Sequence, residues 1–287
     1  MARTDKMIIE AIEATLTEGQ WNSDGKGEWD DGSTAKAKSL FGVQLRYDPN
    51  IDSGLSNLKK TPMKWSIGEV LWIHQDQSND VNLLEEKYGP KWWKKWADAR
   101  GTLGKAYGYQ AAKKHIYLID DEEVRMTQID YVRWALKNDP DNRRLRITLW
   151  NPRDQYEMTL PPCAHTMEFR VWNNRLYMKL QQRSQDVVAA LSVNAFQYMS
   201  LMRMLAAEAG LELGEFVHEI TDFHIYDRHI EAAQEMVRRF YEQDVESIAD
   251  ATILPLEQKD FYDYRVEDIV VHNYNPLDTI AIEIANV

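Results

Sequence analysis

The feature that most restricts the fold is a pair of alternating apolar and polar segments on either side of an Asn-Asn dipeptide. Residues 166–172 precede Asn173 and Asn174, and residues 175–182 follow them. Alternation with a period of two is typical of β-strands, and asparagine tolerates the positive φ that a tight hairpin turn requires. The sequence therefore predicts an antiparallel hairpin here.

Helical and extended patterns are mixed irregularly along the rest of the chain. The predicted helices cover residues 1–16, 66–75, 124–137, 192–209 with Ser192 as N-cap, and about 228–241. The further predicted strands cover residues 40–47, 145–150, 216–225 and 269–272. Because strands and helices do not alternate strictly, we expect an α+β fold with a mixed sheet. The sequence contains neither a repeat nor a Pro/Gly/Ser-rich linker, so residues 1–287 are expected to form a single domain.

Charge and cysteine content argue against several classes of protein. With 34 basic and 46 acidic residues the net charge is −12, which is unsuited to a general DNA-binding or membrane-surface protein. Cys163 is the single cysteine, so an intramolecular disulfide and a cysteine metal cluster are excluded. Apolar runs stay well below the ~18 residues of a membrane span. We expect a cytoplasmic protein in a reducing compartment.

Several polar residues could carry chemistry, and each has a simpler structural interpretation. Cys163 follows two prolines and is either a nucleophile or a buried, inert thiol. Arg143, Arg144, Arg183 and Ser184 suit a phosphate monoester, but such arginines are often only solvated.

Three further groups leave similar alternatives open. Strand periodicity puts Asp222, His224 and Tyr226 on one face, where they could bind a ribose or face water. The spacing of His224, His229 and Asp222 fits no common zinc pattern, and we expect no metal. Glu69 lies in an apolar helical stretch and is either an acid/base with a raised pKa or a surface residue. The tryptophans near Trp93 are either helical core or a platform for a planar heterocycle.

Nine short motifs occur in a recognisable order. They are Ser-Leu-Phe-Gly at 39–42, Glu-Val-Leu-Trp at 69–72, the tryptophan segment at 93–98, Tyr-Gly-Tyr-Gln at 107–110, Arg-Arg at 143–144, Pro-Cys at 162–163, Gln-Arg-Ser-Gln-Asp at 182–186 with Asn194, and the blocks at 214–218 and 222–226. Together they resemble the thymidylate synthase family from about residue 5 to the C-terminus. The resemblance is closest to the branch of that family found in Bacillus and its phages.

The resemblance implies a fold and a reaction. The fold would be a large mixed β-sheet flanked by helices, with an obligate homodimer formed through the sheet face. The Cys163 thiolate would add to C6 of dUMP, and 5,10-methylenetetrahydrofolate would donate the one-carbon unit and the hydride that give dTMP. Arg183 beside the thiol would lower its pKa.

The resemblance also implies a role for each matched residue. The catalytic residues would be Cys163, Glu69, Tyr107, Arg183, Asn194 and Asp222. Substrate would be bound by Arg143 and Arg144, which reach the partner subunit's site, and by Arg183, Ser184, Asp186, Asn194, His224, Tyr226 and Lys26, the nearest match to an early phosphate-binding arginine. Folate would contact Trp93, Asp186, Glu69, Tyr274 and Val287.

Two departures from the family pattern fall on the folate side. The family's Gly-Leu-Pro-Phe-Asn reads Ala-Leu-Ser-Val-Asn at 190–194, and the C-terminal stretch after Tyr274 is one residue longer. Since exclusion of water decides whether hydride or water captures the C5 methylene, a dUMP 5-hydroxymethylase is the alternative. A non-catalytic nucleotide-binding relative is disfavoured, because binding alone would not require the thiol. Asn194 disfavours dCMP as the substrate.

Overall fold

A mixed six-stranded β-sheet with helices against one face is the centre of the fold. The computed structural model describes residues 3–22, 25, 27–242 and 249–287. The helices are α1 (Arg3–Glu18), α2 (Met63–His74), α3 (Val81–Tyr88), α4 (Gly108–Ala111), α5 (Gln128–Asn138), α6 (Val187–Ala209) and α7 (Ile230–Glu242). The strands are β1 (Gln20–Trp21), β2 (Gly27–Glu28), β3 (Thr34–Ala35), β4 (Ala37–Tyr47), β5 (Lys114–Ile119), β6 (Glu122–Thr127), β7 (Arg146–Thr148), β8 (Ala164–Trp172), β9 (Arg175–Asp186), β10 (Glu212–Tyr226), β11 (Thr252–Ile253) and β12 (Val271–His272).

The main sheet has the order β1-β4-β10-β9-β8-β7. Strands β9 and β10 run parallel, and the other neighbours are antiparallel. Alternate residues of β9, such as Leu176, Met178 and Leu180, are fully buried, and α6 packs against β9 and β10. The predicted α+β class with a mixed sheet is therefore confirmed.

The opposite face of the sheet is half exposed or exposed. On it, the Nζ atom of Lys179 lies 2.8 Å from Glu168 and 3.3 Å from Glu219, so charged pairs cross three strands. Phe41 on β4 is 89% exposed, beside Gly42 at φ 76°. An exposed aromatic ring such as that of Phe41 belongs to a residue type that is enriched at protein interfaces.

The predicted hairpin is confirmed. Strands β8 and β9 pair from Trp172 and Arg175 onwards. Asn173 and Asn174 have φ values of 50° and 60°, the left-handed conformation that a two-residue turn of type I′ uses.

Two predicted helices begin at the wrong residue. The segment from Val124 to Thr127 belongs to β6, which pairs with β5, and α5 starts only after Thr127, whose hydroxyl accepts the Asp130 N–H. The second error concerns α6, which starts five residues before Ser192. Its N-cap is Asp186, whose carboxylate accepts the Ala189 N–H at 3.0 Å. The capping residue of α5 lies further along the chain than predicted, and that of α6 lies further back. In each helix the capping side chain accepts a hydrogen bond from one of the first backbone N–H groups.

Other boundaries shift by a few residues. Helix α1 (Arg3–Glu18) ends two residues later than predicted, and its predicted residues 1 and 2 lie outside the described residues. Helix α7 starts at Ile230 after a 3-10 turn at Asp227–His229. Strand β7 is shorter than predicted, as is β12. Among the described residues, no helix combines the length and apolar character needed to cross a membrane.

Candidate active site

The candidate site lies where β9 and β10 end, because parallel strands present their carboxyl ends at the same edge of a sheet. The register places Ser184 opposite Asp222 and Asp186 opposite His224. Cys163 immediately precedes β8, and its carbonyl accepts the Arg183 N–H at 2.9 Å. Residues from three distant segments of the chain are thus neighbours.

The Cys163 thiol is held in a fixed loop. The Arg183 guanidinium donates to the Pro161 carbonyl at 2.7 Å and to the Pro162 carbonyl at 3.1 Å. These two hydrogen bonds stabilise the loop that precedes Cys163. Burial raises the pKa of the Cys163 thiol, and the Arg183 charge opposes that rise without cancelling it. Arg183 therefore acts on the pKa of the thiol in the predicted direction, while burial acts in the opposite direction and is the larger effect.

Tyr107 reaches the same loop from the other side. Its hydroxyl oxygen accepts the Cys163 backbone N–H at 3.2 Å, and its ring packs against Trp93 with centroids 4.9 Å apart. Tyr107 has φ 46°, a conformation that a residue with a side chain rarely adopts. The next residue must be glycine, because a Cβ on Gly108 would lie 1.8 Å from the Ser78 carbonyl oxygen. Strain of this kind persists where the surroundings enforce it, often at functional sites.

Glu69 is buried on α2 and accepts hydrogen bonds at both carboxylate oxygens. The indole N–H groups of Trp92 and Trp93 donate to Oε2 at 3.0 and 2.6 Å, and Gln197 Nε2 donates to Oε1 at 3.0 Å. Burial raises the pKa of Glu69, and these three donors limit the rise. The interpretation of Glu69 as a surface residue is therefore wrong, and Trp92 and Trp93 donate hydrogen bonds to its carboxylate.

A chain of side-chain amides joins Glu69 to the neighbourhood of the thiol. Asn194 Nδ2 donates to Gln197 Oε1 at 3.0 Å, and Gln182 Nε2 donates to Asn194 Oδ1 at 3.2 Å. The Ser184 carbonyl accepts from the same Gln182 nitrogen at 2.9 Å. Since a backbone carbonyl can only accept, it fixes which way the Gln182 amide points.

Sequence reasoning missed Gln197 and treated Gln182 only as part of a motif. The available signal was the spacing of three between Asn194 and Gln197, which puts both on one face of a helix. Each of the Asn194 polar groups keeps one unused hydrogen-bonding direction.

The polar group predicted on β10 is assembled around Asp186. His224 Nδ1 lies 3.3 Å from the Asp222 carbonyl oxygen, and the His224 and Tyr226 rings meet edge to face at 4.9 Å. Asp186 Oδ2 lies 3.2 Å from Nδ1 of His229, which the sequence suggested only as a metal ligand that was not favoured. Burial alone would raise the pKa of Asp186, but His229, His224 and the Ala189 N–H together outweigh it and the pKa is lowered.

Arg143 and Arg144 lie far from Cys163 of their own chain. The Leu145 carbonyl accepts the Phe169 N–H, and Phe169 is six residues further along β8 than Cys163. At ~3.3 Å per residue that separation is about 20 Å. Both arginines are exposed on the surface.

The remaining predicted residues lie at the margins or outside the described part. The Tyr274 hydroxyl accepts the Thr61 N–H at 2.7 Å, and Val287 at the chain end is 48% exposed. Lys26 lies outside the described residues. Among those that are described, His, Cys, Asp and Glu side chains do not gather in threes that could hold a metal ion.

Comparison with known proteins decides the family. The sequence model of the thymidylate synthase family matches residues 7–286. The chain belongs to the thymidylate synthase family. Thymidylate synthase of Bacillus subtilis subsp. natto is 36% identical over 289 residues, covering 99% of this chain and 100% of the relative. The thymidylate synthases of Bacillus phage phi3T and Fusobacterium nucleatum are 36% and 35% identical, again over 99% of this chain and 100% and 99% of the relatives.

The fold agrees with a solved structure of the family. Thermostable thymidylate synthase A from Bacillus subtilis superposes with a TM-score of 0.86 at 34% identity, over 98% of this chain and 99% of that one. The mixed sheet flanked by helices is therefore the thymidylate synthase fold.

In this family member, the departures at 190–193 border a cavity next to Asp186. Ser192 and Val193 line it together with Lys59, Lys60 and Met236. The wall is largely apolar, with cations at one side. Ser192 and Val193 stand where the family pattern has proline and phenylalanine, so these two departures lie in the wall of the cavity.

Proposed function

We propose that the protein converts dUMP to dTMP through a covalent adduct between Cys163 and C6 of the uracil, and that residues 1–287 act as one catalytic domain. The observation that carries the proposal is that Arg183 and Tyr107 both contact the Cys163 loop and act on its thiol, and that the amides joined to Glu69 end at Gln182, which pairs with Ala164 next to Cys163. A thiol beside a guanidinium is suited to nucleophilic addition.

The Asn194 amide would recognise the base. Its Oδ1 would accept from uracil N3–H and its Nδ2 would donate to O4, while Gln182 and Gln197 hold the amide in that orientation. Glu69 at the far end would organise proton movement around O4. Asp222, Ser184, His224 and Tyr226 would surround the ribose and phosphate at the ends of β9 and β10.

The folate would lie beside Asp186 and contact Trp93. When bound, it supplies the one-carbon unit and the hydride. Lys59 and Lys60 line a small cavity next to Asp186, and their charges suit the anionic end of the folate. The Asp186 carboxylate, whose pKa is low, would accept from ring N–H groups. Tyr274 and Val287 would then belong to a segment that excludes water.

The proposal includes a homodimer through the exposed sheet face. About 20 Å along β8 from their own Cys163, Arg143 and Arg144 can serve only a second copy of the site. Their exposed guanidinium groups suit the phosphate of dUMP bound by the partner. We infer that each site is completed by the other subunit.

Product analysis tests this function. The purified protein is incubated with dUMP or dCMP and 5,10-methylenetetrahydrofolate, and nucleotides and folates are identified by mass spectrometry. Equal amounts of dTMP and dihydrofolate are expected from dUMP. Formation of 5-hydroxymethyl-dUMP with tetrahydrofolate would overturn the proposal in favour of the hydroxymethylase, for which the serine and valine at 192 and 193 are the structural argument.

Replacing the nucleophile separates binding from chemistry. In Cys163→Ala we expect product formation to fall below detection, at least ~10³-fold, because no adduct can form. Binding of dUMP by calorimetry should stay within about tenfold, since the arginines and Asn194 remain. Turnover by Cys163→Ala would contradict the mechanism.

A further inference from the structure

The last residues of the chain contact the body of the protein through several polar groups and through Ala285, which is buried beside Trp29 and Tyr226. We call residues 283–287 the tail. Glu28 and Asn286 exchange two backbone hydrogen bonds of 2.8 Å, and Arg228 reaches both Glu283 and Asp31 at 2.7 Å. Lys95 lies 2.9 Å from Asp30 at the same place. Contacts of this kind are individually weak, so the docked state can be shifted by one further interaction.

His229 makes such an interaction from the inside. It is completely buried, and its Nε2 lies 2.7 Å from the Glu283 carbonyl oxygen, while its Nδ1 lies 3.2 Å from Asp186 Oδ2. Both neighbours are acceptors. A neutral imidazole carries one N–H and turns a lone pair towards the other acceptor, whereas the imidazolium directs an N–H at the Glu283 carbonyl and holds its positive charge against the Asp186 carboxylate.

We propose that His229 is a positioning residue that couples docking of the tail to Asp186, and that the tail is held firmly only while the His229 ring is doubly protonated. The consequence for catalysis rests on the proposed function, in which Asp186 contacts folate and the tail excludes water. Linkage is reciprocal, so docking of the tail must in turn hold the proton on His229.

The surroundings of His229 agree with this coupling. Burial alone would lower its pKa, but the Asp186 carboxylate and the Glu283 carbonyl raise it above that of an ordinary histidine, against the opposing charge of Lys59. Its contribution to docking is therefore complete at low pH and is lost as the pH rises through the raised pKa. The groups around the ring are Asp186 from the end of β9, Lys59 from the loop before α2, Glu283 from the tail, Arg228 and Asp227 from its own turn, His224 and Tyr226 from β10, and the Trp29 ring.

Gly27 supplies a selective way to release the tail. A Cβ at this position would lie 2.1 Å from the Asn286 carbonyl oxygen and 2.8 Å from Val287, so Gly27→Ala clashes with the docked tail alone. It leaves the contact between His229 and Asp186 in place. This variant is the reference for an undocked tail.

The experiment measures release of Val287 by a carboxypeptidase, followed by intact mass between about pH 6 and about pH 9. Each rate is divided by the Gly27→Ala rate at the same pH, which removes the pH dependence of the protease. For the natural chain we expect the ratio to rise by about fivefold or more as His229 loses its proton. His229→Gln, which does not titrate, should give a ratio independent of pH, and His272→Gln, at an exposed histidine, should keep the natural profile.

A second measurement separates coupling from a merely structural role. Histidine NMR follows the titration of His229 in the full chain and in a chain ending at residue 282, and we expect a lower pKa in the shortened chain. An unchanged titration, or a pH-dependent ratio that persists in His229→Gln, would overturn the proposal. Neither measurement uses dUMP or folate, so the coupling and the proposed reaction can fail independently.

Discussion

At the scale of single residues, the chemistry depends on groups that are buried and have a definite set of partners. Glu69 accepts from three donors, and Asn194 is fixed between two amides. Buried polar groups that are fully satisfied are stable, and loss of one acceptor leaves a donor without a partner.

The Glu69→Gln variant tests that dependence. The NH₂ group of the new amide must face either the tryptophans or Gln197. All of these groups donate hydrogen bonds towards this position, so two donors would then face each other. We expect a loss of about 1–3 kcal/mol in the free energy of unfolding and a fall in kcat/KM of at least about tenfold. Urea denaturation and steady-state kinetics measure the two effects, with the exposed Glu10→Gln as control. Wild-type stability in Glu69→Gln would show that the network contributes little.

His74 gives a pH-dependent prediction. It is completely buried, and burial lowers its pKa to about 3. In the unfolded chain the residue takes up a proton near the ordinary histidine value, so its contribution to stability is present above that pH and is lost as the pH falls.

The His74→Leu variant has no group here to take up a proton, so it does not lose this stability as the pH falls. Between about pH 7 and about pH 5 its free energy of unfolding should rise relative to the natural chain by roughly 2 kcal/mol. Urea denaturation at the two pH values measures the difference, and His272→Leu, at an exposed position, should show none. A difference that does not change with pH would mean that His74 is not held neutral.

At the scale of elements, the hairpin of β8 and β9 depends on its turn. Asn174 has φ 60°, which costs most residues about 1–2 kcal/mol but costs glycine nothing. We expect Asn174→Ala to lower the free energy of unfolding by about 1 kcal/mol, and the matched Asn174→Gly to leave it equal or higher. Equal stability of the two variants would contradict the turn assignment.

At the scale of the whole molecule, shared sites predict complementation between inactive subunits. Subunits carrying Cys163→Ala and subunits carrying Arg143→Ala with Arg144→Ala should each be inactive or nearly so. After exchange of subunits in equal amounts, about a quarter of the sites should combine an intact thiol with intact arginines. Recovered dTMP formation measures this.

In the matched control, each variant alters a residue that a chain contributes to its own site. Mixing Cys163→Ala with Arg183→Ala subunits should recover nothing, because every site then keeps one defect. Mixed dimers that are demonstrated by native mass spectrometry but stay inactive in the first experiment would disprove the shared site.

The sequence by itself determined the features that depend on local periodicity and on the order of motifs. The hairpin at Asn173 and Asn174, the α+β class and the family all followed from residues that lie close together in the chain or in a fixed order. Turn chemistry and strand alternation are local, so one sequence suffices to read them. The start of α6 was wrong because either Asp186 or Ser192 can cap a helix, and β9 carries the chain as far as Asp186.

Only the tertiary structure decided which distant side chains meet and how their protons are held. The pairing of Glu69 with Gln197, the net rise in the pKa of Cys163 and the position of His229 between Asp186 and the tail depend on the register of three strands and on burial. The separation of Arg143 from Cys163 follows from the register of β7 against β8 in the same way. Burial and register are properties of the packed sheet, and a linear pattern of residues does not contain them.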